Sequence, residues 1–405
     1  MILETTLTEI VKSQKLGMKA WDAGLRRTAL NELPNLAAHA LIVTGIRRSG
    51  KSTLLFQLLR DKYKDALYLN FEDPRLYEFE PADFVRLDTV IKQSGSEVLM
   101  FDEIQIIPRW ESYVRQKLDE RYKLVITGSN ASLLSRELGT KLTGRHISTE
   151  LFPFSYLEFI TFKELKADKQ SIVQYLQKGG FPEYVKEDEA RVLAQLFDDI
   201  ILRDIVVRYG VRDVRGMQRL AQYLVTHIGN RITANRLKSL FDFGSTSTIN
   251  EYLSHLEHAY LLHFVPKFSY SQRAQLVNPR KVYAIDTGIV NTISTAFTED
   301  QGRKFENLIY LHLRRSYKEI YYFSEKGECD FTVFSRGTFQ RAIQVCYSLN
   351  QDNLDRELNG LVEALEYFKS DNGCIITLDQ TDRFEKNGKT IDVLPAYVFC
   401  NSSLN

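Results

Sequence analysis

Four short apolar runs punctuate the first third of the chain: "HALIVTG" (39–45), "ALYLNF" (66–71), "VLMF" (98–101) and "LVIT" (124–127). Polar, helix-compatible stretches separate them. Continuous apolar strands alternating with helices are the pattern of a parallel sheet covered on both faces. The spacing predicts an α/β domain over residues 1–150. From 151 to 200 the pattern turns helical, broken by the Gly-Gly-x-Pro of "KGGFPEY" (178–184), which reads as a tight turn or a hinge. Residues 217–264 read as helices joined by short turns, and two strand-like segments follow, bracketing a polar hairpin in "HFVPKFSYSQRAQLVNPRKVYAID" (263–286). The last hundred residues open on a helix, "GRKFENLIYLHLRR" (302–315). Three strands come next, "IYYFS" (320–324), "ECDFTVFS" (328–335) and "RAIQVCYS" (341–348), then a helix from about 353 to 368.

Composition narrows this only a little. A chain of 405 residues with 44% hydrophobic and 26% charged positions is a globular protein of two or three domains. Fifty-three basic residues against 52 acidic ones leave a net charge of +1, so total charge names no partner. No apolar run approaches the roughly 18 residues that span a bilayer. The N-terminus has no basic segment followed by an apolar core. Cys329, Cys346, Cys374 and Cys400 have no paired spacing and lie in apolar segments, which reads as buried free thiols and a cytoplasmic setting.

The chemistry begins at the end of the first strand. In "LIVTGIRRSGKSTLL" (41–55), Gly45, Gly50, Lys51 and Ser52 satisfy G-x-x-x-x-G-K-[ST] between a buried strand and an amphipathic helix. Glycines let backbone N–H groups turn inward around phosphate oxygens, and the helix start adds its positive dipole end. Gly45, Arg48, Ser49, Gly50, Lys51, Ser52 and Thr53 are the expected nucleotide-binding residues, with Lys51 as a mobile cation for the β- and γ-phosphates. The Ser52 hydroxyl and Asp102, which ends the strand "VLMFD", are the expected Mg²⁺ ligands. Glu103 suits the polarising of water, and Ser129 or Asn130, ending "LVITGSN", can reach a γ-phosphate. No N-K-x-D pattern reads guanine, so ATP with Mg²⁺ is the expected ligand.

In this order, "GIRRSGKST", "FDEIQ", "ITGSNASLL", "LTGR" and "LFPFSYLEF" resemble prokaryotic AAA-type ATPases of the AAA+ superfamily. "GGFPEY", "LRDIVVRY", "KVYAIDTGI" and "FENLIY" resemble the uncharacterised C-terminal domain that accompanies them. The resemblance implies a P-loop NTPase parallel sheet, with Asp102 and Glu103 as the Walker B pair and Asn130 as a sensor. It also implies Arg145 of "LTGR" as an arginine finger or phosphate sensor, in cis or from a neighbour in a homo-oligomer. Arg47 and Arg48 meet phosphate, a neighbouring subunit or solvent.

Beyond the ATPase, the region 201–295 resembles a winged helix, a helix-turn-helix with Thr246 or Ser247 capping its second helix. Residues 201–240 hold eight Lys or Arg against Asp204 and Asp213, and the presumed wing adds Lys267, Arg273, Arg280 and Lys281 without an acid. That charge suits DNA phosphate, with Arg231, Arg236 and Lys281 as expected contacts, although a protein-docking winged helix has the same shape. Residues 296–405 resemble a restriction-endonuclease-like α/β domain. Glu306, Asp330 and Gln344 are its candidate metal site, and Cys346 stands where such a site has lysine. A thiol brings no fixed positive charge, so a degenerate site without cleavage is expected, unless another lysine, Lys326 being the nearest in sequence, takes the role.

Overall fold

A computed structural model of the chain describes residues 1–130, 144–296 and 300–402. The chain divides into two units, Met1–Leu151 and Phe152–Asn405.

The first unit is a five-stranded sheet in the order β2-β3-β4-β1-β5, built from β1 (Ala40–Thr44), β2 (Leu67–Asn70), β3 (Val98–Asp102), β4 (Lys123–Gly128) and β5 (His146–Glu150). Every pairing is parallel. Alternation within each strand explains why the runs are apolar throughout. Ile42, Leu69, Phe101 and Ile126 face a core with α1 (Glu4–Ala20), α3 (Phe84–Ser94) and α4 (Trp110–Asp119). Leu41, Val43, Met100 and Val125 face a second core with Leu54, Leu55 and Leu58 of α2 (Lys51–Asp61). β5 was not legible in the sequence: it is a half-buried edge strand whose residues "HISTE" carry little apolar signal.

The second unit starts with helices. Those at Tyr156–Phe162 and Lys169–Lys178 have capping boxes from Ser155 and Asp168. The Gly-Gly-x-Pro turn is pinned in place. Buried Asp286 accepts from the Gly180 N–H at 2.6 Å and caps the helix Thr287–Ile293, and a side chain on Gly180 would strike the Phe154 carbonyl. A helix at Arg191–Asp199 runs on into a π-helical segment, Ile200–Val207. Then come the helix Val214–Thr226, β6 (Arg231–Ile232), helices Ala234–Phe241 and Thr246–His258, β7 (Leu262–Pro266) and β8 (Arg280–Ala284). These strands form an antiparallel sheet ordered β6-β8-β7. Two sequence expectations shift here. Ser245, not Thr246 or Ser247, caps the second helix by accepting from the Thr248 N–H. The polar connection is no simple hairpin but holds a short helix, Gln272–Val277.

The C-terminal part is a mixed six-stranded sheet, β13-β14-β12-β11-β10-β9. Its members are β9 (Glu319–Ser324), β10 (Glu328–Ser335), β11 (Thr338–Val345), β12 (Asn372–Thr377), β13 (Asp382–Lys386) and β14 (Lys389–Pro395). Helix Gln301–Ser316 covers one face through Phe305, Leu308 and Ile309. Helix Leu354–Phe368 covers the other through Leu358, Leu361 and Leu365. No helix among the described residues is long and apolar enough to cross a membrane.

Candidate active site

The loop 45–50 leaves β1, between β4 and the edge strand β5, and feeds α2. Gly45 has φ +146°, and a Cβ there would lie 2.1 Å from the Leu151 carbonyl oxygen, so any larger residue collides with backbone. Gly50, at φ +95°, turns the chain into α2. Arg48 takes the left-handed region at φ +62°, a conformation L side chains seldom adopt. The Lys51 ammonium folds back over the loop, donating to the Gly45 carbonyl at 3.0 Å and the Ile46 carbonyl at 3.2 Å. It stands 3.7 Å from a Glu103 oxygen. The Ser49 hydroxyl is buried and has no hydrogen-bond partner among the described residues, as expected of a cradle shaped for a ligand with acceptor oxygens. Ser52 and Thr53 are half-buried in the first turn of α2.

Asp102 ends β3 fully buried. One carboxylate oxygen accepts from the Tyr68 hydroxyl at 2.7 Å and the other from the Thr127 hydroxyl, and Ser52 bonds to it as well. Burial raises its pKa, the neighbouring Glu103 charge adds to that, and the three hydroxyls offset part of it. A buried carboxylate faced by hydroxyls, with a serine on the phosphate-loop helix, is a donor set that fits Mg²⁺: oxygen ligands and a net charge the cation would relieve. Glu103 sits at φ +53°, and its N–H donates to the Thr127 hydroxyl at 3.0 Å. Its carboxylate meets Lys51 and the Gln105 amide. Ser129 and Asn130 are buried just past β4, next to β1 at the same end of the sheet as the loop.

Arg145 lies elsewhere. It precedes β5, its carbonyl accepts from the Ala40 N–H at 3.0 Å, and its half-exposed guanidinium pairs with Asp119. Since β5 runs parallel to β1, this is the far end of the strands from the phosphate loop. Five residues of strand separate the two, roughly 16 Å. Within one chain Arg145 therefore lies at the opposite end of β1 and β5 from the phosphate loop. The rest of the "ASLL" and "LTGR" segments, 131–143, lies outside the described residues.

Sequence reading missed two members of this site, Arg27 and Thr127. Buried Arg27 donates to the Ser49 carbonyl at 2.7 Å and braces the loop. Arg47 pairs with Glu72 at 3.3 Å. Thr127 serves both Walker-type acids. Its one signal was a hydroxyl at the end of an otherwise apolar strand. Thr127→Val keeps its shape but strips Asp102 of a donor and leaves the Glu103 N–H unpaired, a cost of about 1–3 kcal/mol. The expected result is a roughly tenfold rise in the Mg²⁺ concentration that half-saturates ATP turnover, measured by metal titration at fixed ATP.

A second cluster lies wholly within the C-terminal unit. Glu306 and Asp330 meet at the ammonium of Lys281, which reaches Glu306 at 2.9 Å, Asp330 at 2.9 Å and Glu328 at 2.8 Å. The Tyr283 hydroxyl donates to Glu306 at 2.6 Å. Burial pushes the Glu306 carboxyl up to about 7, against the pull of Lys281. Gln344 adjoins through its side-chain oxygen, which accepts from the Asp330 N–H at 3.2 Å, while its amide nitrogen donates to Glu357 at 2.5 Å. The Cys346 thiol is turned to the Ser348 carbonyl, and burial pushes it up to about 11. Two expectations need correction. Lys326 is exposed and takes no part, so the lysine comes from β8 instead. Lys281, expected on DNA phosphate, is only 3% exposed. Arg231, its intended companion, is held by Glu328 at 2.5 Å and Ser324 at 3.0 Å.

Comparison with known proteins gives these sites a family. Residues 37–160 match the model of an AAA domain, and residues 169–300 match a domain of unknown function, DUF8612. The chain is 34% identical over 374 residues to "Uncharacterized protein MJ1544" of Methanocaldococcus jannaschii, covering 85% of this chain and 83% of that one. It is 30% identical over 351 residues to an "Uncharacterized protein" of Haemophilus influenzae, covering 81% and 87%. Among solved structures, the replication initiator DnaA bound to AMPPCP and single-stranded DNA aligns at 16% identity and a TM-score of 0.31, over 59% of this chain and 91% of that one. That likeness is too distant to transfer ligands or geometry. On the strength of the two relatives matched over more than four fifths of each chain and the paired domain matches, the chain belongs to the prokaryotic AAA-domain proteins of the AAA+ superfamily in which the AAA domain is followed by DUF8612.

Proposed function

We propose that this protein binds ATP with Mg²⁺, hydrolyses it slowly, and uses the nucleotide state to control how its second unit engages a partner. The observation that carries this reading is the Lys51 ammonium poised between the loop carbonyls and Glu103, beside the Ser49 hydroxyl, which has no partner among the described residues. Lys51 neutralises the β- and γ-phosphates, Ser52 and Asp102 hold the metal, Glu103 takes the proton of the attacking water, and Asn130 orients it. Arg145 acts on the site of a neighbouring copy.

The helix–strand–helix–helix–strand–short helix–strand order over 214–284 supports a winged helix within 201–295. Helix, three-stranded meander, helix and strand support a nuclease-like core within 296–405. The segment 151–200 serves as the helical linker between the ATPase domain, 1–150, and these parts. The presumed wing has spent most of its positive charge. Lys267 pairs with Glu325, Lys281 is buried among carboxylates, and Arg280 lies over the Phe264 ring. Its exposed tip carries Tyr270, Leu276 and Val277. That favours a protein partner for the wing and leaves DNA phosphate to exposed cations such as Arg236 and Lys238.

The deciding experiment is steady-state ATPase activity with and without duplex DNA across a salt series. Slow basal turnover that DNA changes, with an effect that fades steeply as salt rises and is lost in Arg236→Ala/Lys238→Ala, supports a DNA-linked switch. Turnover indifferent to DNA at low salt turns the switch to a protein partner. ATP bound without any measurable turnover makes the nucleotide a structural element and overturns the hydrolytic reading.

A further inference from the structure

Three carboxylates from two elements point one oxygen each at a single buried nitrogen. Glu306 comes from helix Gln301–Ser316, and Glu328 and Asp330 come from β10. The nitrogen is the Lys281 ammonium, delivered from β8 of the other sheet. An ammonium has three donors and here has three acceptors within 2.9 Å, so no donor remains for water or substrate.

We propose that Lys281 takes the place of a divalent metal ion among Glu306, Glu328 and Asp330: as they stand, no group of three or more acidic, His or Cys side chains among the described residues is arranged to hold a metal, so the C-terminal domain is closed to metal and hence to metal-assisted phosphodiester cleavage. The proposal concerns the second unit alone and does not rest on the ATPase reading.

The physical case has three parts. The carboxylates of Glu306 and Asp330 are largely buried and require compensation, while Glu328, 38% exposed, closes the rim; hard divalent ions and ammonium groups both supply that compensation. Here the compensation is covalently attached: Lys281 is joined by Arg231, which holds the outer oxygen of Glu328 at 2.5 Å. A metal entering with both cations in place brings like charges within a few ångströms in a low-dielectric pocket, so lysine and metal exclude each other. The remaining ligand positions are closed as well. The second Asp330 oxygen accepts from the Val345 N–H at 3.0 Å, and Gln344, a neutral side chain, is committed to Glu357. Gln344 thus brings no charge to the cluster, and Cys346, just past β11, brings no cation.

The same contact has a mechanical consequence. Lys281 and Arg231 both belong to the small antiparallel sheet, so the ion cluster fastens that sheet to β10. Removing a partner from a buried ion pair strands the others, which makes Lys281 costly to lose unless another cation takes its place.

The test titrates the full-length, nucleotide-free protein with Mn²⁺ alone, counting bound ion by electron paramagnetic resonance. Binding at the ATPase site is common to all samples and cancels in the comparison. The parent is expected to show no Mn²⁺ that Glu306→Gln removes. Lys281→Met is expected to bind one more Mn²⁺ per chain than the parent, and the gain is expected to vanish when Asp330→Asn is added. If Lys281→Met does not fold by itself, refolding it in millimolar Mn²⁺ becomes the readout: recovery supports the proposal and failure to recover overturns it. A Glu306-dependent Mn²⁺ site in the parent, or a folded Lys281→Met protein that gains none, also overturns it.

Discussion

Lys51→Ala is expected to abolish detectable Mg²⁺-ATP binding and all turnover. The residue begins α2, is 5% exposed, and bridges the Gly45 and Ile46 carbonyls with Glu103 close by. It is the mobile cation of the loop, and a triphosphate brings about four negative charges that backbone N–H groups alone do not neutralise. In the absence of nucleotide the same ammonium satisfies two loop carbonyls, so its loss also loosens the cradle by about 1–3 kcal/mol. Isothermal titration with ATP and a thermal melt separate the two effects. A folded variant that no longer binds ATP is the expected result. A variant that binds and hydrolyses ATP like the parent removes the phosphate-cradle reading altogether.

Glu103→Gln is expected to do the opposite to binding. Size and shape are kept, and the backbone bond to Thr127 does not involve the side chain. ATP should bind as in the parent or more tightly, because a negative charge near the phosphates is gone. Turnover should fall by about two orders of magnitude or more, since the amide accepts no proton from water. Single-turnover hydrolysis with an independent binding measurement makes the comparison. Equal losses in both would reassign Glu103 to holding Lys51 in place. Parent turnover should itself be slow: a phosphate-loop enzyme without an arginine from outside runs roughly 10³- to 10⁵-fold below its activated rate. Arg145, lying at the opposite end of the strands from its own loop, makes that expectation stronger.

How much of this was readable without the fold depends on the kind of signal each residue leaves. The phosphate loop is local: Gly45 and Gly50 must take positive φ and Lys51 must follow at once, so the constraint is written in consecutive letters. Asp102 and Glu103 were nearly as plain, because two acids ending an apolar run have to be explained by chemistry. Strands β1 to β4 were legible for the same reason: both their faces are buried and their apolar runs are unbroken. β5 was not, since an edge strand with half its surface wet needs no apolar run.

What only the tertiary structure decided is what charge does at long range. Lys281 and Arg231 look, in sequence, like cations of a basic region facing solvent. In the fold they are neutralised by Glu306, Glu328 and Asp330, residues 25 to 97 positions away. The same holds for Arg27, bonded to the phosphate loop, and for Arg145, whose distance from that loop follows from strand direction. Backbone conformation and alternating burial are imposed by neighbours in the chain, so the sequence alone determined the nucleotide cradle, the Walker-type acids and the strands that carry them. The energy of a charge is set by whatever lies within a few ångströms of it in space, so only the folded chain decided which cations remain available to a partner and which are already used.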